Sequence, residues 1–328
     1  MKKILSCIIC LALAVASFCA QQAKRVYITL DVSGSMYGDK YALANYTTQM
    51  IVTLCNDDDE VSLIIVGREN NMSAKPLPLQ DLQNPVSRLP FVRRKDEPDF
   101  EINDIIEFNR VYKPSKGMQN WLFIIGDGEW DYGDAKNFQK ATKDLADIVK
   151  KGTVNVCYLQ TGTDLSEESG FTKSVKELKQ VDIHKSDTKR ETIKQECNYS
   201  ARKILGFSES LEINQKDKQR ITFESELPVV GFYLVCQDET NPNNLPKISS
   251  ATADGNLLKV KLKGTPTTMP INGASSQNLS GHVFLVKGSG DIPANTKIEV
   301  EFDKAVKKKN ICIYPIVQDV NFGSVNFT

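Results

Sequence analysis

A short apolar run that stops abruptly at oxygen-bearing side chains limits what this chain can fold into. Val26-Tyr-Ile-Thr-Leu30 is β-branched and aromatic, as a buried strand is, and it runs straight into Asp31-Val-Ser-Gly-Ser35. Gly34 permits a tight bend between the two serines, and helical character follows from about Asp39 to Leu54. A strand that ends in clustered oxygens and feeds a helix sets those oxygens at the carboxyl edge of a sheet, where open α/β sheets bind ligands. Asp31, Ser33 and Ser35 offer one carboxylate and two hydroxyls, a hard-oxygen set suited to Mg²⁺ or Ca²⁺ rather than zinc. Neutral hydroxyls leave such an ion with positive charge and open positions, ready to accept a partner's carboxylate. The same residue types also cap helices and build turns.

A second apolar strand, Trp121-Leu-Phe-Ile-Ile125, ends in Gly126-Asp127-Gly128. Together the two strand ends resemble the metal-ion-dependent adhesion site of von Willebrand factor type A domains, whose pattern is Asp-x-Ser-x-Ser, a distant Thr, and a distant Asp after another buried strand. The resemblance covers roughly residues 24–206. It implies a Rossmann-like α/β domain with a mostly parallel central sheet flanked by helices, and a bound Mg²⁺ (or Ca²⁺/Mn²⁺). Ser33 and Ser35 would coordinate directly; Asp31 and Asp127 would act directly or through water. One part departs from the pattern. The family's threonine precedes a helix that corresponds here to 99–111, and the loop 93–101 contains no threonine. Pro98 or Asp99 stands in its place, so Asp99, Asp96 or Glu97 supplies an oxygen instead, or the loop supplies none. A carboxylate there makes the ion less electrophilic.

Further strands are expected at 60–66, near 75–79, at 154–159 and near 181–184, with helices over 134–150 and 187–205. Phe138, Leu145, Ile148 and Val149 form the inward face of the first of these helices. Such alternation argues for a parallel sheet covered on both faces. Character changes near Gly206. A linker over 207–219 leads to strand patterns at 219–224, 229–236, 257–262, 282–286, 297–302 and 311–317. The pieces 241–246 and 287–290 between them are turn-rich. Short strands without helices over 220–328 suit an all-β sandwich of immunoglobulin-like type.

Composition narrows the function classes. At 41% hydrophobic and 25% charged the chain is not of disordered type, and 41 basic against 41 acidic residues give a formal charge of zero. No basic block stands out beyond Lys307-Lys-Lys309, which argues against a nucleic-acid partner. Lys2-Lys3 and the apolar run to about Phe18 have the layout of a bacterial-style signal peptide over 1–20. Cleavage after Ala20 is expected, and Ala14-Val-Ala16 also fits the small-x-small rule. Nothing downstream is apolar for long enough to span a bilayer, so the mature chain is expected to be secreted, periplasmic or at the cell surface. Five cysteines remain, Cys55, Cys157, Cys197, Cys236 and Cys312, an odd number that is no disulfide framework. Cys236 and Cys312 are left open between a bridge joining two sheets and free thiols.

Enzyme readings lack parts. His184 and His282 are the sole histidines, no Gly-x-Ser-x-Gly elbow or phosphate-cradling loop occurs, and Ser33 stands where a phosphotransfer site would want a second aspartate. The expected function is therefore non-enzymatic: an exported binding protein whose cation engages an acidic group on a protein partner. The alternative is a structural or assembly component of a cell-envelope complex with a degenerate metal site. A metal-dependent hydrolase ranks third, since no general base is visible.

Overall fold

The run Val26–Leu30 does form a buried strand in the computed structural model, as part of β1 (Lys24–Leu30) at the centre of a six-stranded sheet. The structure describes residues 23–31, 34–36, 39–56, 58–65, 77–78, 101–128, 135–162, 170–176, 178, 181–187, 190–205, 210–238, 244–267 and 280–317. The expected signal peptide, Ser33, and Asp96, Glu97 and Asp99 lie outside them. No helix among the described residues is long and apolar enough to cross a membrane.

Around β1 the sheet runs in the order β3-β2-β1-β4-β5-β6, with β2 (Glu60–Ile64), β3 (Leu77–Pro78), β4 (Gln119–Gly126), β5 (Asn155–Thr161) and β6 (Val181–Ser186). Every pairing is parallel except that of β3 with β2. Among the described residues five helices accompany it: α1 (Asp39–Leu54), α2 (Glu101–Val111), α3 (Ala135–Lys150), α4 (Gly170–Lys176) and α5 (Arg190–Leu205). One apolar cluster gathers Val26, Ile28 and Leu30 with α1 and Ile204 of α5. A second gathers Tyr27 and Leu122 with Ile105, Phe108, Leu145 and Val149 of α2 and α3. Alternate residues of β1 thus face opposite layers, as a pleated strand in a two-sided sheet requires.

Beyond residue 210 the strands are antiparallel. One sheet runs β11-β10-β14-β8-β7 and the other β12-β13-β9-β15. The first is built from β7 (Asn214–Gln215), β8 (Arg220–Phe223), β10 (Ile248–Ala253), β11 (Asn256–Leu257) and β14 (Ile298–Phe302). The second is built from β9 (Val229–Asp238), β12 (Lys259–Gly264), β13 (Ser280–Ile292) and β15 (Ile311–Val317). Phe223, Val300 and Phe302 of the first sheet share an apolar cluster with Phe232, Leu234, Phe284 and Ile313 of the second.

The four-stranded sheet is covered on its other face too. Tyr233 and Val235 of β9, Val283 of β13 and Tyr314 of β15 join the cluster around α1. Hydrogen bonds reinforce that contact: Tyr233 Oη donates to Asn56 Oδ1 at 2.6 Å, and Gln237 Nε2 to Tyr46 Oη at 3.0 Å. Tyr314 Oη donates to Asn198 Oδ1 at 3.3 Å. Helix α1 consequently buries 12 of its 16 residues, which is why it carries no polar face.

The all-β part departs from expectation at β10 and at residues 287–290, and it decides the alternative left open for Cys236 and Cys312. β10, Ile-Ser-Ser-Ala-Thr-Ala, is too weakly apolar to stand out as a strand, and pairing with β14 makes it one. Residues 287–290 are not a turn: β13 continues through them, and its register with β9 shifts between Lys287 and Ile292, as at a bulge. Cys236 and Cys312 lie on neighbouring strands of one sheet and are free thiols. Cys236 points into the cluster between the antiparallel sheets and Cys312 packs towards α1, so a bridge between two sheets is ruled out.

Candidate functional site

Strand order determines where a ligand site can lie. The order 3-2-1-4-5-6 reverses between β1 and β4, and ligands in such sheets sit beyond the carboxyl ends of the strands at that switch point. Asp31 is the first residue past β1 and Asp127 the first past β4. Neighbouring strands lie about 4.8 Å apart. The ladder continues one residue beyond β1, because Asp31 N–H donates to Ile125 O at 2.9 Å. The Asp31 side chain lies directly over Gly126. A Cβ on Gly126 would sit 2.8 Å from Asp31 Cβ and 2.9 Å from its Oδ2, so only glycine admits this approach. Both aspartates are buried, Asp31 at 5% exposure and Asp127 at 4%.

The polar segment after β1 is anchored across the edge. Gly34–Met36 form a 3-10 turn in which Ser35 is half-buried and Met36 fully so. Thr161 Oγ1, at the end of β5, donates to Met36 Sδ at 3.6 Å. Asp127 is fixed through its backbone as well: Gln160 Nε2 donates to Asp127 O at 3.3 Å, and Thr172 Oγ1 of α4 donates to Gln160 Oε1 at 3.0 Å.

Two residues that sequence reasoning passed over belong here. Lys40, in the first turn of α1, places Nζ 2.9 Å from Asp127 Oδ2; its side chain is 16% exposed and that of Asp127 1%. Asp104 of α2 is buried at 3% and lines a cavity of about 10 Å³ with Thr29, Asp31, Gly126 and Tyr158, room for one water at most. Its signal was legible, since an aspartate four residues before Phe108 falls on the inward stripe of that helix. Lys40 had no such signal, because its partner lies 87 residues away.

The described donors are of the kind a hard divalent cation takes: carboxylates of Asp31 and Asp127 and the hydroxyl of Ser35, all at one sheet edge. In donor chemistry they fit such an ion. Lys40 already supplies a positive charge to Asp127, and no group of three or more His, Cys, Asp or Glu forms a metal cluster among the described residues. Among the described residues no histidine stands at this edge. His184 is on β6, three strand spacings or roughly 14 Å from β1, and stacks on Tyr199 at 4.3 Å. His282 is in the antiparallel part, with Nδ1 3.2 Å from Pro246 O. Burial pushes the thiols of Cys55 and Cys157 up, Cys157 to about 12, so neither offers a thiolate at neutral pH.

No family model matches this chain, and no curated protein matches it. Solved structures that match include type A domains. Hypothetical protein BatB from Bacteroides thetaiotaomicron is 15% identical over 56% of this chain and all of its own, with a TM-score of 0.39. A von Willebrand factor type A protein from Catenulispora acidiphila is 11% identical over 92% of this chain and 63% of its own, at 0.40. The SpRpn10 VWA domain is 16% identical over 54% of this chain and 94% of its own, at 0.39. Likenesses of this size bear on neither ligand nor partner, and the fold described above stands on its own strand order.

Proposed function

We propose that this chain is an exported, non-enzymatic protein-interaction module. In this reading a type A domain over 24–206 holds Mg²⁺, or Ca²⁺ or Mn²⁺ in its place, with Asp31, Ser33, Ser35 and Asp127, and Asp99 where the family has threonine. When bound, the ion supplies a Lewis-acidic position for a carboxylate of a protein partner. The chain's own residues orient and neutralise: the carboxylates balance the ion's charge, and Met36 and Gln160 hold the two loops to the sheet edge. A linker over 207–219 and an immunoglobulin-like sandwich over 220–328 complete the reading, the sandwich serving as spacer or second surface. The observation that carries it is the pair of buried aspartates, Asp31 and Asp127, ending adjacent strands on either side of the switch point.

The Lys40–Asp127 contact favours a second reading, an assembly component whose metal site is degenerate. A buried carboxylate needs a counter-charge, and here an ammonium already provides one. Titrating Mg²⁺ and Mn²⁺ against thermal stability separates the two. Under the first reading the wild type gains melting temperature with either ion, EDTA reverses the gain, and Asp31→Ala abolishes it. Under the second the wild type does not respond, while Lys40→Met, which removes the ammonium beside Asp127, does. An unresponsive wild type and an unresponsive Lys40→Met variant together remove metal binding from both.

A further inference from the structure

Among the described residues the exposed large apolar side chains are Leu257 (78%), Val260 (38%) and Leu262 (44%), and all three lie in one six-residue run. That run passes from one sheet to the other. β11 ends the five-stranded sheet and β12 ends the four-stranded one. Among the described residues β12 pairs with β13 alone, so its outer ladder takes no strand.

Register assigns the faces of β12. Val260 stands opposite Val286 and Leu262 opposite Phe284, and both partners point into the apolar cluster between the antiparallel sheets. Lys261 stands opposite Leu285 and Lys259 opposite Lys287, on the other face. The edge therefore presents apolar groups on one face and ammonium groups on the other, beside backbone donors and acceptors that pair with no further strand among the described residues.

We propose that this edge docks an extended segment of a protein partner that alternates apolar and acidic residues and adds as a strand beside β12. Unpaired ladder groups are a template for strand addition. Side chains directly opposite on adjacent strands lie about 5 Å apart, so the segment's apolar residues cover Val260 and Leu262 while its acids meet Lys259 and Lys261. Other occupants fit less well. A lipid surface is flat and meets one face of a strand, so it cannot take up the apolar and basic side chains together. A second copy of β12 would set lysines beside lysines. Edge lysines by themselves guard against stray pairing, but a guard has no need of three exposed apolar side chains.

The test uses the whole 328-residue chain and a fluorescein-labelled eight-residue peptide of Val-Glu repeats, read by anisotropy, with a Val-Lys repeat as counter-probe. The wild type binds the Val-Glu repeat at least about tenfold more tightly than the Val-Lys repeat. Lys259→Glu with Lys261→Glu inverts that preference, Leu262→Asp weakens both peptides about tenfold, and EDTA changes nothing. Lys261→Gln, a milder change, halves the preference or more if the double variant does not fold. Equal binding of the two peptides, or a preference that survives charge reversal, overturns the proposal. So does co-sedimentation with phosphatidylglycerol vesicles, or a dimer in sedimentation velocity, that these variants abolish. Capture lost in EDTA assigns binding to the switch point instead and leaves the proposed function standing without this surface.

Discussion

The α/β part and the antiparallel part bury different kinds of side chain. Among the described residues the first buries Lys24, Asp31, Asp59, Asp104 and Asp127, while the second buries one ionisable side chain of comparable polarity, His282, whose pKa burial lowers so that the ring stays neutral. Taking a charge out of water costs several kcal/mol unless it is paired, so a region that keeps five such groups keeps them for a reason. The reason differs from place to place. Asp59, at the amino-terminal edge of the sheet, accepts the backbone N–H of Lys24 and of Asn56, both at 2.8 Å, and closes a turn. Asp31 and Asp127, at the opposite edge, end the strands on either side of the switch point. Buried charge alone thus does not single out a candidate site; position in the strand order does. The antiparallel part has an apolar interior, and what it offers a partner lies on its rim.

That contrast can be broken most forcefully at Asp127. Asp127→Ala removes the 2.9 Å ion pair of the largely buried Lys40 ammonium and is expected to cost about 3 kcal/mol in urea denaturation, near the low end for a broken buried pair because Lys40 reaches solvent. A loss below about 1 kcal/mol would make this pair no different from a surface one. Gly126→Ala comes next. The added methyl meets Asp31 Cβ and Oδ2 below 3 Å, and the expected loss is about 2 kcal/mol, with Asp31→Gly in the same chain restoring most of it.

Tyr233→Phe probes the boundary between the two parts. It removes the 2.6 Å hydrogen bond to Asn56 while keeping the ring in place, for about 1 kcal/mol. Because Tyr233 and Val235 share a cluster with α1, near-ultraviolet and far-ultraviolet circular dichroism should still report one coincident transition; two separated transitions would show the parts to be energetically independent.

The smallest effect is that of pH on His282. Burial holds its folded pKa below the ordinary value near 6.5, so the unfolded chain binds the proton first. Stability is full above that value and falls as pH drops through the folded pKa. Between pH 7.5 and 5.5 the wild type should lose more stability than His282→Gln, as read by urea denaturation at the two pH values. An equal loss in both would mean the ring is protonated in the fold.

The elements near the candidate site were legible because each is a local pattern. Val26–Leu30 and Trp121–Ile125 read as strands from their β-branched and aromatic content, and Phe138, Leu145 and Val149 read as one helix face. The burial of α1 was also written in the chain, since Tyr41–Leu54 contains no charged residue, but what covers it was not. β10 escaped notice because serine, alanine and threonine carry little strand signal until β14 supplies a ladder.

The sequence by itself determined which residues are strands and helices near the switch point and which oxygens stand at the ends of two of those strands. Periodicity and side-chain chemistry act over a few residues, so they can be read in one dimension. Only the tertiary structure decided that Lys40 would meet Asp127, that Asp104 would lie beside Asp31, and that a sheet begun at Val229, far along the chain from α1, would close over it. Those contacts depend on strand order and on how each crossover returns, which no local pattern encodes.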